Sequence, residues 1–177
     1  MDSSTLRSMQ TPLKERYREA PEAAFVTLRA RGRVDDSQNL SCSVETGHSL
    51  VEAGLHPATG GNGMLACSGD MLLQALVACA GVTLRAVATS IEFPLAGGTI
   101  TAEGDLDFRG TLAVDKQVPV GFKNIRLSFE LDTEADREHI DQLQKLTERY
   151  CVVYQTLANG VRPVSTFKKT PEDPGKD

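Results

Sequence analysis

The chain has 177 residues, 40% of them hydrophobic, and a formal net charge of -5. This length suits one domain with a buried core and is too short for two full-sized domains. The acidic balance, without a lysine or arginine cluster, argues against a nucleic-acid partner, whose phosphates must be neutralised. The first residues lack the basic and apolar regions of a signal peptide, so we expect a cytoplasmic protein whose four cysteines stay reduced.

The N-terminal part of the chain predicts a helix followed by two strands. Residues 5–20 have charged helical spacing that Pro21 interrupts, and we expect a helical arm over residues 1–21. Residues 24–34 and 40–45 alternate apolar and polar side chains, which predicts two strands joined as a hairpin. A glycine-rich loop over residues 55–63 comes next. It lacks the lysine-serine/threonine ending of a phosphate-binding loop.

The longest apolar run, residues 71–88, predicts a helix that carries Cys79. It approaches membrane-spanning length, but Gln74, Thr83 and Arg85 interrupt it, and an arginine at the centre of a bilayer is costly. We therefore expect a core helix and no membrane partner. Small residues flank Cys79, so a second element can bring another thiol close to it. This arrangement indicates a dithiol redox site.

The second half of the chain predicts two further strands and a helix. The alternation in residues 99–108 and 125–131 is typical of strands. Thr133 is the expected N-cap of the helix that follows, with Asp136 in its first turn. A helically spaced apolar stripe predicts its buried face: Ile140, Leu143 and Leu146. We expect this second helix to carry Cys151.

The predicted order of elements is strands, helix, strands, helix, which defines an α+β fold. We assign residues 22–167 to this domain. Residues 168–177 are rich in charge, proline and glycine, and we expect a disordered tail.

Two segments resemble a known family. The segment Ser68–Arg85 reads as an acidic residue, an aliphatic run, a cysteine and a short polar exit. The segment Arg149–Leu157 contains the second cysteine and ends in a threonine-leucine pair. Together, in this order, they resemble the OsmC/Ohr family of osmotically induced proteins and organic hydroperoxide reductases. The resemblance runs from about Phe25 to about Phe167.

The resemblance implies both a fold and a reaction. The fold would be OsmC-like, with antiparallel sheets wrapped around central helices in an intertwined homodimer. The reaction would be a thiol-dependent reduction of organic hydroperoxides, without a cofactor. Cys79 as thiolate would attack the peroxide and become a sulfenic acid, Cys151 would resolve it as a disulfide, and an external dithiol reductant would restore both thiols.

The resemblance also implies an arginine from the N-terminal strands beside the thiolate, held by a carboxylate. Asp70 matches the carboxylate position, although a first-turn residue that interacts with the helix dipole is an alternative role. Arg29, Arg31 and Arg33 share one face of their strand by alternation, so periodicity does not choose among them. Arg31 lies nearest the family position. Val152 follows Cys151 where the family often has proline.

Other interpretations of these residues remain open at this point. Each cysteine is alternatively a small buried side chain, a common role for cysteine. Four residues of metal-binding type, Cys42, Cys67, His48 and His56, fit no closed tetrahedral spacing. Two alternative functions follow: a non-catalytic OsmC-like protein that binds a lipid-like or acyl ligand in an apolar cleft, and a metal-stabilised structural protein.

Overall fold

A computed structural model describes residues 2–5, 7, 8, 10, 11, 19, 31–33, 41–45 and 50–169, with the backbone alone described for 31–33 and 41–45. Most of the predicted N-terminal arm lies outside these residues. Its described part is helical at residues 3–5, 7, 8, 10, 11 and 19, and the Ser3 hydroxyl donates a hydrogen bond to the Glu92 carboxylate at 3.0 Å. Residues 170–177 of the predicted tail also lie outside the described residues.

The first sheet has four short strands in the spatial order β1-β2-β3-β4. They are β1 (Arg31–Arg33), β2 (Ser41–Glu45), β3 (Leu50–Gly54) and β4 (Ala66–Cys67). The antiparallel pairing of β1 with β2 confirms the predicted strand pair. Sequence reasoning missed β3 and β4, because β4 has only two residues and β3 contains glutamate, alanine and glycine, which are uncommon in strands.

The central helix α1 (Ser68–Ser90) follows β4 directly. Its buried residues recur at helical spacing and form one stripe: Leu76, Ala80, Leu84, Val87 and Ala88. The C-terminal part of this stripe packs with Phe93 and Leu143 in the hydrophobic core. The helix predicted around Cys79 is therefore confirmed.

The opposite face of α1 is exposed within the single chain. Val82 is 73% exposed, and the exposed residues Ala75 and Ala78 lie on the same side of the helix. Among the described residues α1 is the one helix long and apolar enough to cross a membrane, and 28% of its most apolar window is buried in the chain. One chain alone thus buries one side of the helix and leaves an apolar strip uncovered.

The second sheet is an antiparallel hairpin that packs against α1. Its strands are β5 (Gly97–Leu106) and β6 (Phe122–Asp132), and the connection between them contains a short helix, α2 (Phe108–Thr111). The sheet approaches α1 closely, since a Cβ added to Gly81 would lie 3.1 Å from Cδ1 of Ile100. Both strands predicted in this half are confirmed.

Two helices, α3 (Arg137–Tyr150) and α4 (Val152–Asn159), complete the fold. The predicted N-cap, Thr133, is wrong. Asp136 caps α3 by accepting a hydrogen bond from the His139 N–H at 3.0 Å. The Thr133 hydroxyl instead donates to the Pro94 carbonyl at 2.6 Å, which ties the end of β6 to the segment that follows α1.

The order of these elements confirms the α+β class.

Candidate dithiol site

Cys151 is the single residue between α3 and α4. Its extended backbone, with φ -75° and ψ 108°, ends one helix and begins the next. Its N–H donates to the Thr147 carbonyl at 3.0 Å, and its own carbonyl accepts from the Gln155 N–H at 2.9 Å. The side chain is 1% exposed. The prediction that Cys151 lies within a helix is therefore wrong, since the residue forms the joint between two helices.

Cys79 lies on α1 with its sulfur against the N-terminus of α4. Burial acts to raise the pKa of the Cys79 thiol, but hydrogen bonds outweigh it and hold the pKa below the ordinary value. The donors are the backbone N–H groups of Val153 and Val152, the Cys151 thiol, and the hydroxyl of Thr83 one turn further along α1. These contacts favour the thiolate form of Cys79.

The pKa of the Cys151 thiol is shifted in the opposite direction, above its ordinary value. Burial raises the pKa of its thiol, and the hydrogen bond and charge interaction with Cys79 raise it further, while the N–H groups of Tyr154 and Val153 act in the other direction. The contacts thus favour the thiolate form at Cys79 and the thiol form at Cys151.

The N-terminus of α4 is free to hold the Cys79 thiolate. The first N–H groups of a helix have no intrahelical partner, and the helix dipole makes them favourable for an anion. The first turn of α4 contains no acidic residue. The Val153 N–H interacts with both sulfurs, whereas the Val152 N–H interacts with Cys79.

A cavity of about 420 Å³ with both polar and apolar walls lies between α1, β6 and the helices on either side of Cys151. Leu76, one turn before Cys79, contributes to its wall, and Tyr154 and Leu157 of α4 contribute from the other side. The rest of the lining comes from β6, with one residue each from α3 and α4: Phe122, Asn124, Ile125, Leu127, Phe129, Glu148 and Ala158. The cavity therefore offers apolar side chains together with a carboxylate and an amide to a molecule that enters it.

A second cavity of about 340 Å³ lies further along β6 and shares Leu127 and Phe129 with the first. Thr147 of α3 contributes to its lining and is only 2% exposed. Its Oγ1 has no hydrogen-bond partner among the described residues. Both cavities lie between β6 and the helices.

Asp70 and Cys79 are not brought together within one chain. Asp70 lies in the first turn of α1 and is exposed. Nine helical residues separate the two, which corresponds to about 180° around the helix and about 13 Å along it. They face opposite sides of α1, one on each flank of its exposed apolar strip.

The structure does not decide which of the three candidate arginines lies beside the Cys79 thiolate. Arg31 and Arg33 form the ends of β1, but their side chains are outside the described part of the chain, and Arg29 is outside it altogether. Their role beside the thiolate stays a prediction.

Sequence reasoning missed Thr83, although its position four residues after Cys79 places both on the same face of α1.

Cys67 is separate from the thiol pair. It precedes α1, is half-buried and is not in a disulfide. In the first sheet Cys42 pairs with Ala53, and Ala53 pairs with Ala66. Two strand spacings therefore put the Cα atoms of Cys42 and Cys67 about 10 Å or more apart. This distance is beyond the roughly 7 Å that a disulfide spans.

His56 has a structural contact within its loop. Its Nδ1 accepts a hydrogen bond from the Ala58 N–H at 3.0 Å, and its ring stacks on Phe108 with centroids 5.0 Å apart. His48 lies outside the described residues. In the part of the chain that is described, no three side chains of histidine, cysteine, aspartate or glutamate are grouped to hold a metal ion.

The fold and the site together define an α+β protein with a thiolate-thiol pair between its central helix and a helix N-terminus. The sequence model of the family described as OsmC-like protein matches residues 61–165, more than half of the chain. The protein belongs to the OsmC-like family.

Solved structures of family members have the same fold. The OsmC-like protein of Mycoplasma pneumoniae is 13% identical, with a TM-score of 0.63 over 76% of this chain and 89% of that one. An organic hydroperoxide resistance protein from Elizabethkingia anophelis is 17% identical, with a TM-score of 0.60 over 77% and 91% of the two chains. The organic hydroperoxide resistance protein OsmC of Legionella pneumophila is 18% identical, with a TM-score of 0.59 over 76% and 90%. The chain matches no curated protein sequence.

Proposed function

We propose that this protein is a cytoplasmic thiol-dependent peroxidase that reduces organic hydroperoxides. The observation that carries the proposal is the contrast between Cys79, where hydrogen bonds favour the thiolate, and Cys151, where burial favours the thiol. A thiolate is the nucleophile in peroxide reduction, and a neighbouring protonated thiol is poised to resolve the product. Family membership and the names of the Legionella and Elizabethkingia proteins support the substrate class.

The reaction proceeds in three balanced steps. The Cys79 thiolate attacks the distal oxygen of the hydroperoxide, the O–O bond breaks, and the alkoxide leaves as an alcohol after taking up a proton. Cys79 is then a sulfenic acid. The Cys151 sulfur attacks the Cys79 sulfur, the S–O bond breaks, and the hydroxyl leaves as water with the proton of the Cys151 thiol, forming the disulfide. An external dithiol reduces the disulfide by two exchange reactions and is itself oxidised to a disulfide.

The apolar part of the cavity near the pair supports organic rather than inorganic peroxides. Leu76 of α1 and Leu157 of α4 line this cavity and would contact the organic part of a substrate. Burial of an apolar substituent contributes about 25 cal/mol per Å². Hydrogen peroxide has no such substituent, so the cavity would favour the larger substrate.

We also propose that the active form is a homodimer. The exposed strip of α1, with Ala75, Ala78 and Val82, would be covered by a second copy, which removes apolar surface from water. Cys79 and Asp70 flank this strip, so the same contact would bring Asp70 of one chain towards the thiol site of the other. Arg31 is the cation that we propose beside the thiolate, oriented by Asp70.

The second candidate is a non-catalytic OsmC-like protein that holds a lipid-like or acyl ligand. The observation that favours it is the cavity between β6 and the helices, whose lining includes several apolar side chains, together with the separation of Asp70 from Cys79 within the chain. In this case the thiols would not turn over.

Consumption of cumene hydroperoxide in the presence of dithiothreitol separates the two candidates. The peroxidase proposal predicts catalytic turnover by the wild type and none by Cys79→Ser, because a serine hydroxyl forms no thiolate and no sulfenic acid. Both proteins should have the same circular dichroism spectrum. Equal turnover by the two would remove Cys79 as the attacking residue. Absence of turnover in the wild type would favour the binding protein.

A further inference from the structure

A side-chain amide bridges the two helices that meet at Cys151. Gln155 lies on α4, one turn after Cys151, and its Nε2 donates to the backbone carbonyl of Glu148 at 2.9 Å. This carbonyl belongs to the last turn of α3, where carbonyl groups lack intrahelical donors. The Gln155 side chain on α4 thus caps the C-terminal end of α3.

The orientation of the Gln155 amide is fixed by its other contacts. Nδ2 of Asn159, the last residue of α4, donates to Oε1 of Gln155 at 2.9 Å and also to its backbone carbonyl at 2.9 Å. Because Oε1 accepts from Asn159, the amide nitrogen must face Glu148. The chain of contacts therefore runs from the end of α4 to the end of α3.

This bridge controls the angle at which α4 meets α3. Cys151 alone connects the helices covalently, and its extended backbone does not continue either one. The N-terminal N–H groups of Val152 and Val153 hold the Cys79 sulfur, so a tilt of α4 changes their distance from it.

We infer that Gln155 is a positioning residue for the thiol pair: through its bond to the Glu148 carbonyl it directs the N-terminus of α4 at Cys79. The inference rests on the proposed function in so far as Cys79 is taken as the reacting thiol. Gln155 acts through α4 and does not itself touch the sulfur.

The test uses two substitutions that remove the donor in different ways. Gln155→Glu keeps the shape and replaces the donor by an acceptor, and Gln155→Met removes the donor without adding charge. The readout is the rate of Cys79 alkylation by iodoacetamide as a function of pH, followed by peptide mass on the reduced full-length protein. Both variants should raise the pH midpoint of Cys79 alkylation by about half to one pH unit. This shift corresponds to a roughly three- to tenfold lower alkylation rate at neutral pH.

Asn159→Ala should give a smaller shift in the same direction, because the donor remains but its orientation is no longer fixed. Should Gln155→Glu fail to fold, Gln155→Met and Asn159→Ala carry the test. The matched control is Gln144→Glu. Its amide donates to the Glu148 side chain at 2.7 Å and not to the carbonyl, so the same chemical change should leave the midpoint at the wild-type value.

Folded Gln155 variants with a wild-type midpoint would overturn the inference, even if they melt at a lower temperature, since stability alone would then be affected. The alkylation profile needs no peroxide turnover. A wild type that reduces no hydroperoxide would therefore refute the proposed function while the midpoint shift still decides the role of Gln155.

Discussion

The thiol of Cys151 donates a hydrogen bond to the sulfur of Cys79, and the residues that follow Cys151 turn their backbone N–H groups to the same sulfur. One short stretch of chain therefore supplies both the thiol that we propose as the resolving group and the donors that favour the thiolate form of Cys79. The arrangement links the reactivity of Cys79 to the position of α4.

The pH dependence of Cys79 reactivity follows from these contacts. Because the hydrogen bonds favour the charged form, the alkylation midpoint of Cys79 should lie below that of an ordinary cysteine thiol, about 8.5. Cys151→Ala removes one donor and should raise the midpoint. The measurement is iodoacetamide labelling of Cys79 from pH 5 to 10, with Cys67→Ala as the control. A midpoint that is unchanged in Cys151→Ala would show that the thiol contact does not stabilise the thiolate.

Cys151→Ser should separate attack from resolution. Cys79 should still react once with the peroxide, and without a resolving thiol it should stay a sulfenic acid or proceed to sulfinic acid with excess oxidant. Dimedone trapping and intact mass report these species. A disulfide yield equal to that of the wild type would mean that Cys42 or Cys67 resolves instead.

Cumene hydroperoxide should be reduced more efficiently than hydrogen peroxide, with a difference in kcat/KM of roughly tenfold or more. The reason is apolar burial against the cavity walls formed by Leu76 and Leu157, at about 25 cal/mol per Å². Steady-state kinetics with dithiothreitol measure both substrates. Leu157→Asp should reduce the preference, and comparable efficiencies in the wild type would mean that the cavity does not receive the substrate.

Thr147→Val should raise the free energy of unfolding by about 1 kcal/mol, because a buried hydroxyl without a partner is replaced by a methyl group of the same size. Urea denaturation of the reduced protein measures it. Thr156→Val is the control: its hydroxyl is exposed and donates to the Val152 carbonyl at 2.8 Å, and a change within about 0.5 kcal/mol is expected. Destabilisation by Thr147→Val would reveal a hydrogen-bond partner outside the described residues.

The sequence predicted the parts of the fold that have a strong apolar period. The long run around Cys79 and the stripe of Ile140, Leu143 and Leu146 give helices, and the alternating segments after Pro94 give the hairpin. The sequence did not predict β3 and β4, since a few residues contain too little pattern. Thr133 has the chemistry of an N-cap, but its hydroxyl is used by a distant carbonyl that only the tertiary structure supplies.

The sequence predicted the two cysteine side chains of the site but not the backbone N–H groups that face Cys79. Resemblance to the family identified Cys79 and Cys151 as a pair. The N–H groups of Val152 and Val153 have no sequence signature, because every non-proline residue has one. Matching Asp70 by position along the chain also ignored the rotation of the helix, which turns its side chain away from Cys79 within the same chain.

The most direct test of the account is the intact mass of the reduced protein after one equivalent of cumene hydroperoxide, followed by non-reducing peptide mapping. The account predicts the loss of two hydrogen atoms per chain and a crosslink between the peptides that contain Cys79 and Cys151, which dithiothreitol reverses. An unchanged mass, or a crosslink that does not include Cys79, would contradict it.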